Sequence, residues 1–340
     1  MSAPDNPGMG FRLDPSDELP HAPDASPNWN ESVYGNAFDP VHKVGGWLRI
    51  GNRINEKSAE VSVCLYLPDG RVACQFAKPT LTTHEVFSAG GLSYRVEAPL
   101  QKVTFDYDGK VYLLADPTLL RRPKDAFVPA HEVPCTLHWE QTSLTPVHGG
   151  EPLSLAQPTA YGRNFSLGHF NLHTKVQGHL AVGAEHFAFD GHGWRDHSWG
   201  PRYWQNLFAH RLFTANFGDD LGITVHKIED PDGTVRRLGT IFSGVGAPYE
   251  DILDLDVTVD WADQVPTGAS IRFRTATRRS ALSVRVVTMA PLRNRRAFGD
   301  AIIESRIHEA FAEYSMEGRI GYGMFELVDL VREGRMAGYP

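Results

Sequence analysis

Between Leu253 and Trp261 every second residue is apolar: Leu253, Leu255, Val257, Val259 and Trp261 alternate with Asp254, Asp256, Thr258 and Asp260. A period of two is satisfied only by a strand with one face buried. The alternation recurs along the chain. Val61, Val63, Leu65 and Leu67 run into the turn Pro68-Asp69-Gly70, and Leu221, Ile223 and Val225 lead to Asp230-Pro231-Asp232-Gly233. Val103, Phe105 and Tyr107 pair in expectation with Val111 and Leu113 across a turn at Asp108-Gly109; Leu282, Val284 and Val286 form another run, and a late strand is expected over Tyr314–Tyr322. Helical periodicity is confined to residues 299–313 and 324–335, and no Gly-rich βα turn is present. The chain is therefore expected to be all-β, with antiparallel strands closed into barrels that remove exposed edges.

A chain of 340 residues exceeds one typical core and fits two domains of about 150 residues each. Residues 1–28 carry six prolines among small and acidic residues and read as a tail or a strap laid over the body. The first β domain is expected over 29–172 and the second over 173–340, with the join within 144–172, where Pro146, Gly149, Gly150, Pro152, Pro158, Gly162 and Gly168 interrupt the strands.

Charge excludes several classes of partner. The net charge is -8 and the 33 Lys and Arg residues are scattered, so no basic stripe exists to neutralise nucleic acid. Cys64, Cys74 and Cys135 have no metal-type spacing, which fits a reducing compartment. With no signal-like N-terminus and no apolar run near the ~20 residues of a membrane span, a cytoplasmic protein without an integral membrane segment is expected. A homodimer is compatible with the composition. Among 15 histidines, His169, His173, His179 and His186 cluster without a matching carboxylate motif, so neither metal nor cofactor is expected.

Chemistry concentrates after residues 176–189, read as a strand, and Asp190–Gly193, read as a turn. Trp194, Trp199 and Trp204 then enclose Arg195, Asp196, His197, Arg202 and Tyr203. A carboxyl beside an imidazole, walled by indole rings, can exchange protons in a dry pocket, because desolvation raises a carboxyl pKa towards neutrality. Asp196, with His197 and Arg195, is the candidate catalytic group. On a straight strand neighbours point to opposite faces, so Asp196 and His197 share a site only if the chain bends at Gly193 or Gly200. The competing reading is that Arg195 and Asp196 form a buried ion pair with other strands and that the tryptophans are core. On an expected strand 206–217, Asn206, Phe208, His210 and Leu212 share a face that would bring His210 to the same cavity. Ser198 lacks a Gly-x-Ser-x-Gly setting and is expected to bond the local backbone.

The segment Asp196-His197-Ser198-Trp199-Gly200, preceded by Gly191-x-Gly193-x-Arg195, resembles the signature of lipocalin-like proteins related to carotenoid 1,2-hydratase. Trp29-Asn30-Glu31-Ser32-Val33-Tyr34 and Gly45-Gly46-Trp47-Leu48-Arg49-Ile50-Gly51 resemble the entry to the first barrel of two-domain relatives, and the likeness extends over most of residues 29–326. The resemblance implies two consecutive lipocalin-like domains, a cavity at or between them, and cofactor-free chemistry on hydrophobic polyenes or isoprenoids. It maps the hydratases' Asp-His and Trp onto Asp196, His197 and Trp199; Ser198 departs from the amide often found in them. Lipocalin-like Diels–Alder cyclases, which act by folding their substrate, also belong to this group.

The expected function is a cofactor-independent lyase or isomerase acting on a hydrophobic small molecule in a β-barrel pocket. Asp196, tuned by His197, would exchange a proton with an alkene or its alcohol, and Trp199 and Trp204 would stabilise positive charge. Trp194, Tyr34, Glu31, Arg49, Arg202, Tyr203 and His210 would complete the pocket. A non-catalytic carrier and a pericyclic cyclase are the alternatives.

Overall fold

The computed structural model describes residues 10–154, 159, 161–163, 165–203, 207–298 and 301–340. Eight of the twelve strands in the first body's sheet build its barrel: β1 (Trp29–Asp39), β2 (Val44–Arg53), β3 (Ser58–Tyr66), β4 (Val72–Ala77), β5 (Lys102–Leu114), β6 (Glu132–Ser143), β7 (Gly168–Val182) and β8 (Glu185–Pro201). Each pairs antiparallel with the next, and β8 returns to pair with β1, closing an up-and-down barrel. Alternation fills its interior with Val33, Leu48, Ile50, Val63, Phe105 and Trp139.

The second body is a meander of eight strands: β9 (Ala209–Asn216), β10 (Leu221–Glu229), β11 (Val235–Ser243), β12 (Asp254–Ala262), β13 (Val265–Arg274), β14 (Arg279–Phe298), β15 (Ala301–Met316) and β16 (Arg319–Arg332). Its order is β11-β10-β9-β16-β15-β14-β13-β12. The sheet curls until residues 252–253 bridge its ends, Ile252 donating to Gly239 O at 2.8 Å and Leu253 to Arg274 O at 2.7 Å. Leu255 and Val257 face this core, as the alternation requires.

The two bodies meet through outer faces. Phe38 stacks on Phe311 with ring centroids 4.6 Å apart, and Tyr66 donates to the Glu309 carbonyl at 2.8 Å. Tyr34, Trp47, Trp194 and Met324 join the same apolar layer. His173, fully buried here, bonds Asn216 Oδ1 at 2.8 Å and Thr224 Oγ1 at 3.0 Å, and Asn216 Nδ2 donates to Gly193 O at 3.0 Å.

Several sequence expectations are corrected. Residues 299–313 and 324–335 fall largely in β15 and β16; alternating Ala310, Ala312 and Tyr314 point into the core, and small alanines had masked the period of two. Asp108-Gly109 lies inside the continuous strand β5, and Asp190–Gly193 inside β8, so neither is a turn. The late run is split between β15 and β16 by a turn at Glu317-Gly318. The domain boundary at residue 172 falls inside β7. Because β7 and β8 close the first barrel, the motif strand belongs to the first body rather than the second, and the passage to the second sheet follows Pro201. Gly191 and Gly193 keep this closure tight, since a Cβ would lie 2.2 Å from Phe38 O and 2.0 Å from Asn36 O respectively.

Residues 10–28 form a strap over the first barrel. Asp14 caps a 3-10 turn at Pro15–Glu18, and the following segment brings His21 onto the Trp199 ring at 4.0 Å. Among the described residues, no helix is long and apolar enough to cross a membrane.

Candidate active site between the two barrels

β8 is straight through the motif, so its side chains divide. Arg195, His197 and Trp199 face the strap; Trp194, Asp196 and Ser198 line a cavity between the two bodies. The expectation that Arg195 and His197 act beside Asp196 is thereby corrected, and the reason is the two-residue period of the strand. The cavity lies between outer barrel faces, which corrects a pocket inside a barrel: the interiors are filled by their own cores.

On the strap side, Arg195 holds the buried Glu18 at 2.5 and 3.0 Å, and Glu18 also accepts from Tyr94 and the Leu100 N–H. Arg195 is therefore in a buried ion pair, as the competing reading held, with Glu18 of the strap rather than with another strand. Glu31, expected in the pocket, is instead a hub: it accepts from the His21 backbone and Nδ1, from His84 Nε2 at 2.8 Å and from His197 Nε2 at 2.9 Å. Burial opposes its ionisation, but these bonds hold its pKa well below the usual range. Trp199 packs on Phe170 and His197, outside the cavity. His21, Glu31 and His197 offer ligand atoms within 4.8 Å of one another, a set that could hold a metal ion. Hydrogen bonding alone already occupies both oxygens of this carboxylate.

The cavity has a volume of about 570 Å³, suited to a small organic molecule. Tyr34, Trp47, Phe76, Phe127 and Trp194 supply its apolar wall. Register places Asp196 between Tyr34 on β1 and Asn171 on β7, and Ser198 between Ser32 and His169. His169 Nε2 stands 3.5 Å from Asp196 Oδ2. The histidine cluster is thus dispersed: His169 lines the cavity, whereas His173 is locked between the bodies and His179 stacks on His138. Ser198 Oγ bonds side chains, Arg202 Nη2 at 2.7 Å and Ser32 at 3.3 Å, not the expected backbone.

The facing wall comes from β9, β15 and β16 and carries residues the sequence reading missed. Glu309 and Glu326 are directly opposite on neighbouring strands, and both line the cavity. Burial and the neighbouring Glu326 push Glu309 well above the normal carboxyl range, which favours its neutral form. Its Oε2 has no hydrogen-bond partner among the described residues. His210, as expected, lines the cavity; its Nδ1 is 3.3 Å from Glu326 Oε1 and its Nε2 3.3 Å from His226 Nδ1. Tyr161, whose hydroxyl is kept neutral by burial and by Asp196, packs edge-on to His169 and His210. Tyr34 and Arg202 also line the space, and Arg49, bound to Glu60 at 3.2 Å, lies at its edge. Tyr203 does not line it, and Trp204 and Asn206 lie outside the described residues. The missed carboxyls left one legible signal: Glu326 interrupts the apolar run Met324-Phe325-Glu326-Leu327-Val328.

The model of the family described as "Domain of unknown function (DUF7064)" matches residues 14–331. The chain belongs to the DUF7064 family. No curated protein sequence matches it. Solved structures similar to this DUF7064 chain include a putative AttH from Nitrosomonas europaea, 14% identical with a TM-score of 0.59, covering 97% of this chain and 100% of the other. Kievitone hydratase from Nectria haematococca is 14% identical with a TM-score of 0.56, covering 95% and 94%. CghA with Sch210972 is 12% identical with a TM-score of 0.57, covering 98% and 97%. At these identities the likeness establishes a shared fold, and the two-barrel architecture expected from the motif is the one observed.

Proposed function

We propose that this DUF7064 protein is a cofactor-independent lyase or isomerase that relocates a proton on a hydrophobic small molecule held between its two barrels. The observation that carries the reading is two carboxyl side chains facing one aromatic-lined cavity from opposite bodies: Glu309, whose neutral form burial and Glu326 favour, on the second, and Asp196 beside His169 on the first. Glu309 is the donor and Asp196, oriented by His169, the acceptor. Glu326 and His210 lead a replacement proton back to Glu309. An alkene protonated from one wall and deprotonated from the other is isomerised; water taken up or lost between the two steps makes the same site a hydratase or dehydratase.

That a protein of this fold bears the name kievitone hydratase supports the lyase branch. Turnover of alkene-bearing candidate substrates in heavy water tests the reading. Solvent deuterium should appear on carbon, and Asp196→Asn and Glu309→Gln should each slow turnover by about 10²–10⁴-fold, the usual range for losing a general acid or base. Product without deuterium and with both variants fully active would replace acid–base chemistry by shape-directed cyclisation. Unchanged ligand after long incubation would make the protein a carrier.

A further inference from the structure

Arg202 is a buried cation for which, among the described residues, no carboxylate stands within ion-pair distance. It leaves β8 one residue after Pro201, is 8% exposed, and lines the cavity. Its Nη2 donates to Ser198 Oγ at 2.7 Å, its guanidinium carbon lies 4.3 Å from the centre of the Phe165 ring, and its buried Nε has no hydrogen-bond partner among the described residues. Other buried arginines are paired: Arg195 with Glu18, Arg53 with Glu56, Arg211 with Asp329. Burial, with Arg49 and Arg53 nearby, pushes Arg202 down to about 9 against the opposing pull of Asp196 and Tyr161, so its surroundings on balance work against its charge. A buried charge with no counter-charge in direct contact is costly, and an anion arriving from outside relieves that cost.

We propose that the molecule bound in the cavity carries a carboxylate that seats on Arg202 and Ser198, with its apolar body along Trp194, Tyr34 and Trp47. Guanidinium matches the planar oxyanion geometrically, and the hydroxyl of Ser198, freed from accepting alone, donates to the second oxygen. Arg202 is then a specificity-determining residue: it fixes which end of an amphipathic substrate enters and sets the reacting carbon relative to Asp196. The inference rests on the proposed use of this cavity as the substrate site, but it is read by binding rather than by turnover.

Calorimetric titration with a matched pair, 2-naphthoate and 2-naphthylmethanol, tests it at pH 7.5. The acid should bind the wild-type protein about tenfold or more tightly than the alcohol, the gain expected of one charge-assisted hydrogen bond. The ratio should fall below about twofold in Arg202→Met and stay partly preserved in Arg202→Lys, which keeps charge but not geometry. Should Arg202→Met fail to fold, Arg202→Lys and Ser198→Ala carry the test, each with a reduced ratio. Asp196→Asn, which disables the proposed reaction, should leave the ratio at or above the wild-type value, so failure of the acid–base reading and failure of this inference are separate outcomes. Equal affinity for the two probes, no binding of the acid at millimolar concentration, or a ratio unchanged in the Arg202 variants would overturn the proposal.

Discussion

The two faces of β8 carry ionisable groups at similar depth and with opposite bookkeeping. Towards the strap, the oxygens of Glu18 and Glu31 are all occupied, by Arg195, Tyr94 and a backbone amide in one case and by three histidines and a backbone amide in the other. Towards the cavity, among the described residues, Arg202 has no carboxylate within ion-pair distance, Glu309 Oε2 has no hydrogen-bond partner, and Asp196 meets His169 only at 3.5 Å. Burial of charge is common to both, so burial by itself does not mark a site. Incomplete pairing does, because a fully paired charge contributes to holding the fold while an unpaired one can still act on a ligand.

The comparison is broken most readily at Arg195. Arg195→Met leaves Glu18 buried and uncompensated, and should cost about 3–5 kcal/mol in urea unfolding; a variant as stable as the wild type would mean that the strap face is not a paired structural cluster.

His21 sharpens it through pH. Burial opposes its ionisation, but the bonds to Asp17 and Glu31 win and push it up to about 9. A raised folded pKa stabilises fully below the unfolded value near 6.5 and is lost as pH rises through about 9. The stability gap between wild type and His21→Asn should therefore be widest near pH 6, about 1–2 kcal/mol after solvent screening, and shrink towards pH 9. A gap that grows with pH would reverse the assignment.

Glu309→Gln should have the smallest effect, under about 1 kcal/mol, because burial favours the neutral carboxyl here and a neutral amide keeps its shape and can donate to Glu326. A loss as large as that of Arg195→Met would show that Glu309 is ionised and structurally paired, like Glu18.

Much of this was legible in the sequence. The alternation appears as β12 from Asp254 onward, with Leu253 just before it and exposed, the Pro68-Asp69-Gly70 and Asp230–Gly233 turns join paired strands, and residues 10–28 of the proline-rich N-terminus form a strap. The motif's location was legible as well, since tryptophans and ionisable residues crowd into β8. Its division was not. Whether Asp196 or His197 faces a ligand depends on strand straightness at Gly193, and on what the two faces of the barrel meet. Glu309 was hidden because Ala310 and Ala312 carry too little side chain to announce a strand.

Local sequence determined the strands, because a period of two is a property of neighbours: alternation decides which residues can share a face before any partner is chosen. Tertiary structure alone decided what each face does. Arg195 is neutralised by Glu18, 177 positions away, and Ser198 meets Ser32 across 166, whereas Asp196 looks into a cavity closed by strands of the other body. Charge pairing in a buried site is set by whichever groups the fold brings within a few ångströms, and separation along the chain carries almost no information about that distance.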